Sequence, residues 1–136
     1  MAFSNASVAL VHGMSRPIGA NYHVPHGLSN AMLLPTVTQF SISGSPLRYS
    51  ECAKAMGISE ANDNEDLANK KLIDELYILN KDLNVPSPAE YGINKEDFIG
   101  KLDILSEQAI ASGSPANNPI VPSHNQIKDL YLKLWS

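Results

Sequence analysis

The chain has 136 residues, a formal net charge of −4, and 43% hydrophobic against 18% charged residues. This composition is typical of a single globular domain over residues 1–136 and excludes a disordered chain. The acidic balance leaves no basic patch to neutralise phosphates, which argues against a nucleic-acid or anionic-membrane partner. No apolar run reaches the roughly 18 residues that a membrane span requires. The single cysteine, Cys52, cannot form an internal disulfide and fits a reducing cytoplasm.

Two helices are predicted before residue 43, and each has a proline inside it or at its end. The first covers residues 2 to about 16, because Pro17 lacks a backbone donor and should end or kink the helix there, and Gly19 then permits a left-handed turn. The second covers residues 27–40, with a bend expected at Pro35. Its predicted core positions are Leu28, Ala31, Met32, Leu34, Val37 and Phe40.

Further helices are predicted from caps and apolar spacing. Ser45 caps a third helix over residues 46–56, and residues 62–84 are predicted to form the longest helix. Residues 85–91 are predicted to be a connector with at most one helical turn. The buried stripe expected on the longest helix consists of Leu67, Leu72, Leu76, Leu79 and Leu83.

The last two predicted helices begin at Asn94 and at the capping box Ser123-x-x-Gln126, with a polar loop over residues 113–122 between them. Their expected core positions are Phe98, Leu102, Leu105, Ile127, Leu130, Tyr131 and Leu134. No segment alternates with a period of two residues. The sequence therefore predicts an all-α bundle of about six helices.

Three of the four histidines, His12, His23 and His26, lie within residues 10–35. An imidazole can give one ring nitrogen to a cation while a partner fixes the other. His12 and His26 are too far apart for one helical turn, so they can meet only if His12 ends one helix and His26 begins the next. On spacing alone, one surface and one core histidine is the commoner arrangement, and no H-E-x-x-H motif is present.

The wider stretch, V-H-G-M-x-x-P-x-G-A-x-x-x-x-P-H-G-x-x-N-A-x-L-L-P, resembles a signature segment of the iron-containing (group III) alcohol dehydrogenases. Segments 46–57 (PLRYSECAKAMG) and 85–93 (VPSPAEYGI) and the pair Asn118-Pro119 also resemble that family, so the resemblance covers essentially the whole chain. The matching residues of the signature are Val11, His12, Gly13, Met14, Pro17, Gly19, Ala20, Pro25, His26, Gly27, Asn30, Ala31, Leu33, Leu34 and Pro35.

The resemblance implies that His12 and His26 are two ligands of a divalent metal, Fe²⁺ or alternatively Zn²⁺. The family's other two ligands, an Asp and a His, and its NAD(P)-binding α/β domain lie upstream and have no counterpart in this sequence. We therefore expect the C-terminal part of a dehydroquinate-synthase-like fold, inactive in isolation. The implied reaction of the whole enzyme is hydride transfer that interconverts small primary alcohols and aldehydes, with the metal as Lewis acid.

One position departs from the family pattern. Many relatives carry a catalytic histidine four residues after the first ligand, whereas this chain has Arg16, which keeps its proton at neutral pH and cannot shuttle it. Arg16 could instead pair with a carboxylate of substrate or cofactor, or simply face solvent, and His23 or water could carry the proton. The family's Asn-Pro-Arg becomes Asn118-Pro119-Ile120, which removes that arginine.

Two alternatives to the dehydrogenase remain open. A related reductase of hydroxy or keto acids would use Arg16 as a carboxylate clamp, and a non-catalytic helical module would have kept the fold without the chemistry. A homo-oligomer, most simply a dimer, is expected because truncation would uncover an apolar face of the first two helices.

Overall fold

The computed structural model describes residues 2–111 and 122–135, with side chains described from residue 10 onward. The described residues form eight α-helices and no strand, which confirms the all-α prediction. The predicted loop over residues 113–122 and the Asn118-Pro119-Ile120 departure lie outside them, apart from Pro122. The helices are α1 (Ala2–Tyr22), α2 (His26–Ile42), α3 (Pro46–Ala55), α4 (Glu65–Asp82), α5 (Pro88–Tyr91), α6 (Lys95–Gly100), α7 (Leu102–Ala111) and α8 (His124–Lys133).

Helix α1 continues through Pro17, so of the two outcomes predicted there an end near residue 16 was wrong, while a kink stays a prediction. A proline in a helix deprives the carbonyl four residues earlier of its usual donor. Here the apolar positions on both sides of the proline, Leu10, Met14 and Ile18, are fully buried. The buried hydroxyl of Tyr131 also donates to the Met14 carbonyl at 2.7 Å. Tertiary packing on both sides therefore outweighs the local cost of Pro17.

The left-handed residue that ends α1 is His23, with φ 57°, and not Gly19 as predicted. The His23 N–H donates to the Gly19 carbonyl at 2.9 Å, which closes the last turn of the helix. Gly19 serves a different purpose: a Cβ there would lie 3.3 Å from the Val24 carbonyl oxygen. Its missing side chain lets the connection after α1 lie against the helix.

A side chain of α4 satisfies a carbonyl that the proline in α2 leaves free. Pro35 lies inside α2 and cannot donate to the carbonyl of Ala31. Nδ2 of Asn80, on α4, donates to that carbonyl at 2.8 Å. This bond ties α4 to the middle of α2, while the bend expected at Pro35 stays a prediction.

Two apolar clusters hold the described residues together. The larger one joins α1, α2 and α6 to α8, and Phe98 lies within it, 5.8 Å from Tyr22, 5.8 Å from Tyr131 and 5.4 Å from Trp135 by ring centroids. The smaller one joins α3 and α4. It consists of Tyr49, Ala53, Ala68 and Leu72. Predicted core residues found buried are Met32, Val37, Leu72, Leu76, Phe98, Leu102, Leu105, Ile127, Leu130 and Tyr131.

The prediction for α4 was partly wrong. With 18 residues it is shorter than α1, which has 21. Leu67 and Leu79 are exposed by 41% and 47%, and Leu83, just past the end of α4, by 66%. The helix packs mainly on α3 and α2, and its buried side chains are Ala68, Asn69, Leu72 and Leu76. Among the described side chains, the exposed large apolar ones all follow residue 46, so residues 10–42 show no uncovered apolar face of the kind expected there.

Three helices begin at the caps predicted for them, although Ser45 makes no side-chain cap hydrogen bond and α4 begins after Asn64, later than predicted. Ser45 precedes α3, Asn94 Oδ1 accepts from the Asp97 N–H at 2.9 Å, and Ser123 and Gln126 form the predicted capping box. The predicted fifth helix is divided at Lys101 into α6 and α7, and α5 is the single turn expected in the connector. Among the described residues, no helix has both the length and the apolarity to cross a membrane.

Candidate metal centre

His12 and His26 lie side by side. Their ring centroids are 4.6 Å apart and their planes make an angle of 16°, so the imidazoles are stacked. His12 is half-buried and His26, the first residue of α2, is exposed. The structure thus brings together the two histidines that the sequence singled out.

The route by which the two rings meet differs from the one expected. His12 does not end its helix, because α1 continues for ten more residues to Tyr22. Instead, the three-residue connection 23–25 carries the chain back along α1, with the Val24 carbonyl against Gly19. The doubled-back connection returns His26 to the level of His12.

Buried serines fix the backbone one turn after each histidine. Ser15 Oγ donates to the His12 carbonyl at 3.2 Å, and Ser29 Oγ donates to the His26 carbonyl at 3.1 Å. Both serines are almost fully buried, so each hydroxyl finds its acceptor within its own helix. The two histidine-bearing turns are therefore held by polar contacts as well as by packing.

Asn30 is the residue of this region that sequence reasoning missed as a candidate. Its Oδ1 is buried and has no hydrogen-bond partner among the described residues. It lies four residues after His26 in α2, hence on the same face of the helix. The spacing within the P-H-G-x-x-N segment was the signal that could have singled it out. An orphaned buried amide oxygen is an acceptor for a cation or for a hydrogen-bond donor.

The other candidates do not join the pair. His23 is exposed and left-handed, and its carbonyl accepts from the Tyr91 hydroxyl at 3.4 Å. His124 begins α8, where it adds a small contribution to the lowered pKa of Asp103, behind that of Lys128. In the described part of the chain, no group of three or more His, Cys, Asp or Glu side chains could hold a metal.

Arg16, the residue at the position of the family's histidine, is exposed on α1. It follows His12 by four residues, so both side chains project from one face of the helix. The exposed guanidinium of Arg16 can pair with a substrate group but does not transfer protons.

Cys52 is half-buried and forms no disulfide, as expected for a small packed residue.

The structure defines an all-helical domain in which the first two helices bring two imidazoles together. A model of the Fe-containing alcohol dehydrogenase family, C-terminal, matches residues 1–135. The chain belongs to this family, and its helices are those of the C-terminal helical domain of the iron alcohol dehydrogenase fold.

Similar proteins include an NADPH-dependent butanol dehydrogenase of Clostridium saccharobutylicum, 37% identical over 96% of this chain and 34% of the relative. The lactaldehyde reductase of Escherichia coli (strain K12) is 32% identical over 99% of this chain and 35% of the relative. The solved structure of an iron-containing alcohol dehydrogenase from Thermococcus thioreducens is 35% identical, with a TM-score of 0.77 over 93% of this chain and 31% of that one. The chain thus spans about a third of the length of the relatives it matches.

Proposed function

We propose that this chain is the C-terminal, metal-binding part of an NAD(P)-dependent alcohol dehydrogenase that interconverts small primary alcohols and aldehydes by hydride transfer. The observation that carries the proposal is the stacked pair of His12 and His26, 4.6 Å apart, within a chain that matches the family over residues 1–135. His12 and His26 are proposed as two ligands of a divalent cation.

The donor set suits Fe²⁺, and Zn²⁺ as an alternative, because both ions accept neutral imidazole nitrogens. The orphaned oxygen of Asn30, four residues after His26, is a further hard acceptor on the same helix. A cation bound there would supply Lewis-acid polarisation of a substrate oxygen. The chain's own part is to hold both imidazoles in place, through the buried turns of Ser15 and Ser29.

The remaining ligands and the nicotinamide cofactor, NAD or NADP, are proposed to come from other parts of the whole protein, because the chain spans about a third of its relatives. On this proposal the isolated chain does not turn over alcohols. A cytoplasmic location, suggested by the lone Cys52, and a homo-oligomeric state, checked by light scattering, belong to the same proposal.

Metal titration of matched variants tests the ligand assignment. Zn²⁺ and, under anaerobic conditions, Fe²⁺ are titrated by calorimetry into the purified protein and into His12→Ala, His26→Ala and the control His124→Ala. We expect each site variant to weaken binding by more than about tenfold, because a ligand matters at least as much as an outer-shell partner. The control should bind like the parent, since His124 lies on α8, and circular dichroism checks that all variants fold.

Equal metal affinity in the parent, His12→Ala and His26→Ala would rule out these two histidines as ligands. If the protein is folded and neither metal affects its stability or activity, the alternative of a non-catalytic helical module is favoured instead.

A further inference from the structure

The charges of this chain are distributed very unevenly. Of the 10 basic and 14 acidic residues, only Arg16 lies before residue 48. The two helices that carry the histidine pair therefore contain one permanent charge, and it is positive. No carboxylate within these helices can neutralise it.

The described residues of the later helices do not neutralise Arg16 either. The ion pairs in the described part of the chain join Lys71 to Asp63, Lys101 to Asp97 and Lys128 to Asp103, all on later elements. Arg16 makes no hydrogen bond or ion pair with any described residue, and its side chain is exposed. With respect to the described residues, its guanidinium is therefore available to bind an anion.

No described residue supplies an anion beside this cation. Arg16 lies one helical turn after His12 on the same face of α1, where neighbouring side chains are about 5–6 Å apart at Cβ. A permanent positive charge so close to a proposed cation site repels that cation. An anionic group bound between them would be attracted by both.

We propose that Arg16 binds the carboxylate of the substrate, so that the alcohol or aldehyde oxidised or reduced here is a small hydroxy acid or its oxo acid. The inference rests on the proposed function and names its substrate class. A guanidinium presents parallel N–H donors that match the two oxygens of a carboxylate, which an alcohol substrate cannot offer.

The reaction itself is unchanged by this group. In the oxidation direction, the C–H bond of the carbinol carbon breaks and its hydride passes to NAD(P)⁺, while the hydroxyl proton is released and a C=O bond forms. The carboxylate keeps its charge throughout and serves to position the substrate. Arg16 is thus a substrate-binding residue, and no proton passes through it.

The experiment compares 3-hydroxypropanoate with 1,3-propanediol, which carries a hydroxymethyl group in place of the carboxylate. Steady-state kinetics are measured on the full-length, metal-loaded protein and on Arg16→Gln, Arg16→Lys and the control Arg48→Gln. Arg48 is the chain's other arginine and is also exposed, on α3. We expect the parent to prefer the acid.

Arg16→Gln should lower kcat/KM for the acid by about tenfold to a hundredfold, as expected for a lost hydrogen-bonded charge pair, and leave the diol within about twofold. Arg16→Lys should fall between, since it keeps the charge without the fork. Arg48→Gln should change neither substrate. Equal effects of Arg16→Gln on both substrates, or none, would overturn the inference.

A cofactor phosphate is the other source of an anion, and the same variants distinguish it. If Arg16→Gln raises the KM of NAD(P)⁺ and slows both substrates alike, Arg16 binds the cofactor and the substrate assignment fails. Calorimetric binding of 3-hydroxypropanoate gives a readout without turnover. If neither substrate is oxidised, the proposed function fails. Binding of 3-hydroxypropanoate that is lost in Arg16→Gln, weakened in Arg16→Lys and unchanged in Arg48→Gln still supports the carboxylate site, whereas equal binding in all four proteins excludes it.

Discussion

The first pair of helices and the second pair are stabilised in different ways. Between residues 10 and 42 no large apolar side chain is exposed, and the core of α1 and α2 is completed by helices from the far end of the chain. Helices α3 and α4 share a core of four side chains and leave others, such as Leu67 and Leu83, in solvent. The histidine pair therefore lies in the region α1–α2, which is stabilised by contacts with residues distant in sequence. The region α3–α4, which carries many charged residues and is called the charged region below, is stabilised mainly by contacts between its own two helices.

The largest effects on the free energy of unfolding are expected from truncating one core side chain in each region, with Phe98→Ala in the larger cluster and Leu72→Ala in the smaller one. Phe98 contacts three aromatic rings in the larger cluster, so its truncation should lower the free energy of unfolding by about 3–5 kcal/mol, and Leu72→Ala by about 2–3 kcal/mol. Urea unfolding measures both values. Hydrogen exchange should show amides of α1, α7 and α8 losing protection in Phe98→Ala, and only those of α3 and α4 in Leu72→Ala. The same exchange pattern in both variants would mean that the two clusters unfold as one unit.

Asn80→Ala breaks the bond that joins the two regions, and its effect should be smaller. Loss of the 2.8 Å bond to the Ala31 carbonyl is expected to cost about 1–2 kcal/mol, because that carbonyl has no helical donor. In a Pro35→Ala background the backbone N–H of residue 35 can donate to the Ala31 carbonyl instead. Asn80→Ala should then lower the free energy of unfolding by less than half as much. Urea unfolding of the four proteins of this cycle measures the coupling. Strictly additive effects would show that Asn80 does not compensate for Pro35.

Asp63→Asn tests how much the ion pair between Asp63 and Lys71 contributes to the free energy of unfolding, and we expect this effect to be the smallest of the three. The hydrogen bond from Lys71 Nζ, at 2.6 Å, is the main cause of a pKa of about 2 for Asp63, with help from Ser59 and the Glu60 N–H. A lowered pKa stabilises the fold above the unfolded pKa of about 3.9, and this stability is lost as the pH falls towards 2. The unfolding free energies of parent and variant should therefore differ at pH 7 and converge between about pH 4 and pH 2. Asp74→Asn, an exposed carboxylate on α4, is the control, and a gap that stays constant with pH would contradict the assignment.

Local signals predicted the helix class and most boundaries, because caps act through a few neighbouring residues. The capping box of Ser123 and the cap at Asn94 depend only on side chains three residues apart, and both were confirmed. The prediction at Pro17 failed for the opposite reason. The local cost of this proline is offset by contacts with helices more than 80 residues away, which include the hydrogen bond from Tyr131, and no local sequence pattern contains such contacts.

The candidate site was predictable in part. The segment around His12 and His26 singled out both residues, but the way they meet depends on the close approach of Val24 to Gly19, which the sequence does not encode locally. The exposed leucines Leu67 and Leu79 of α4 could not be told from the buried Leu72 and Leu76 by periodicity alone. Periodicity identifies an apolar face, whereas the arrangement of the other helices decides whether that face is covered.

The scarcity of charge in α1 and α2 has a consequence for how the chain folds. These helices are synthesised before α7 and α8, which complete their core, so their apolar faces must wait for late partners. A stretch whose only permanent charge before residue 48 is Arg16 has little electrostatic repulsion to keep copies apart during that interval. Contacts so distant in sequence also slow folding. The same neutral surface that suits a buried helix pair makes this segment the one most exposed to self-association before folding is complete.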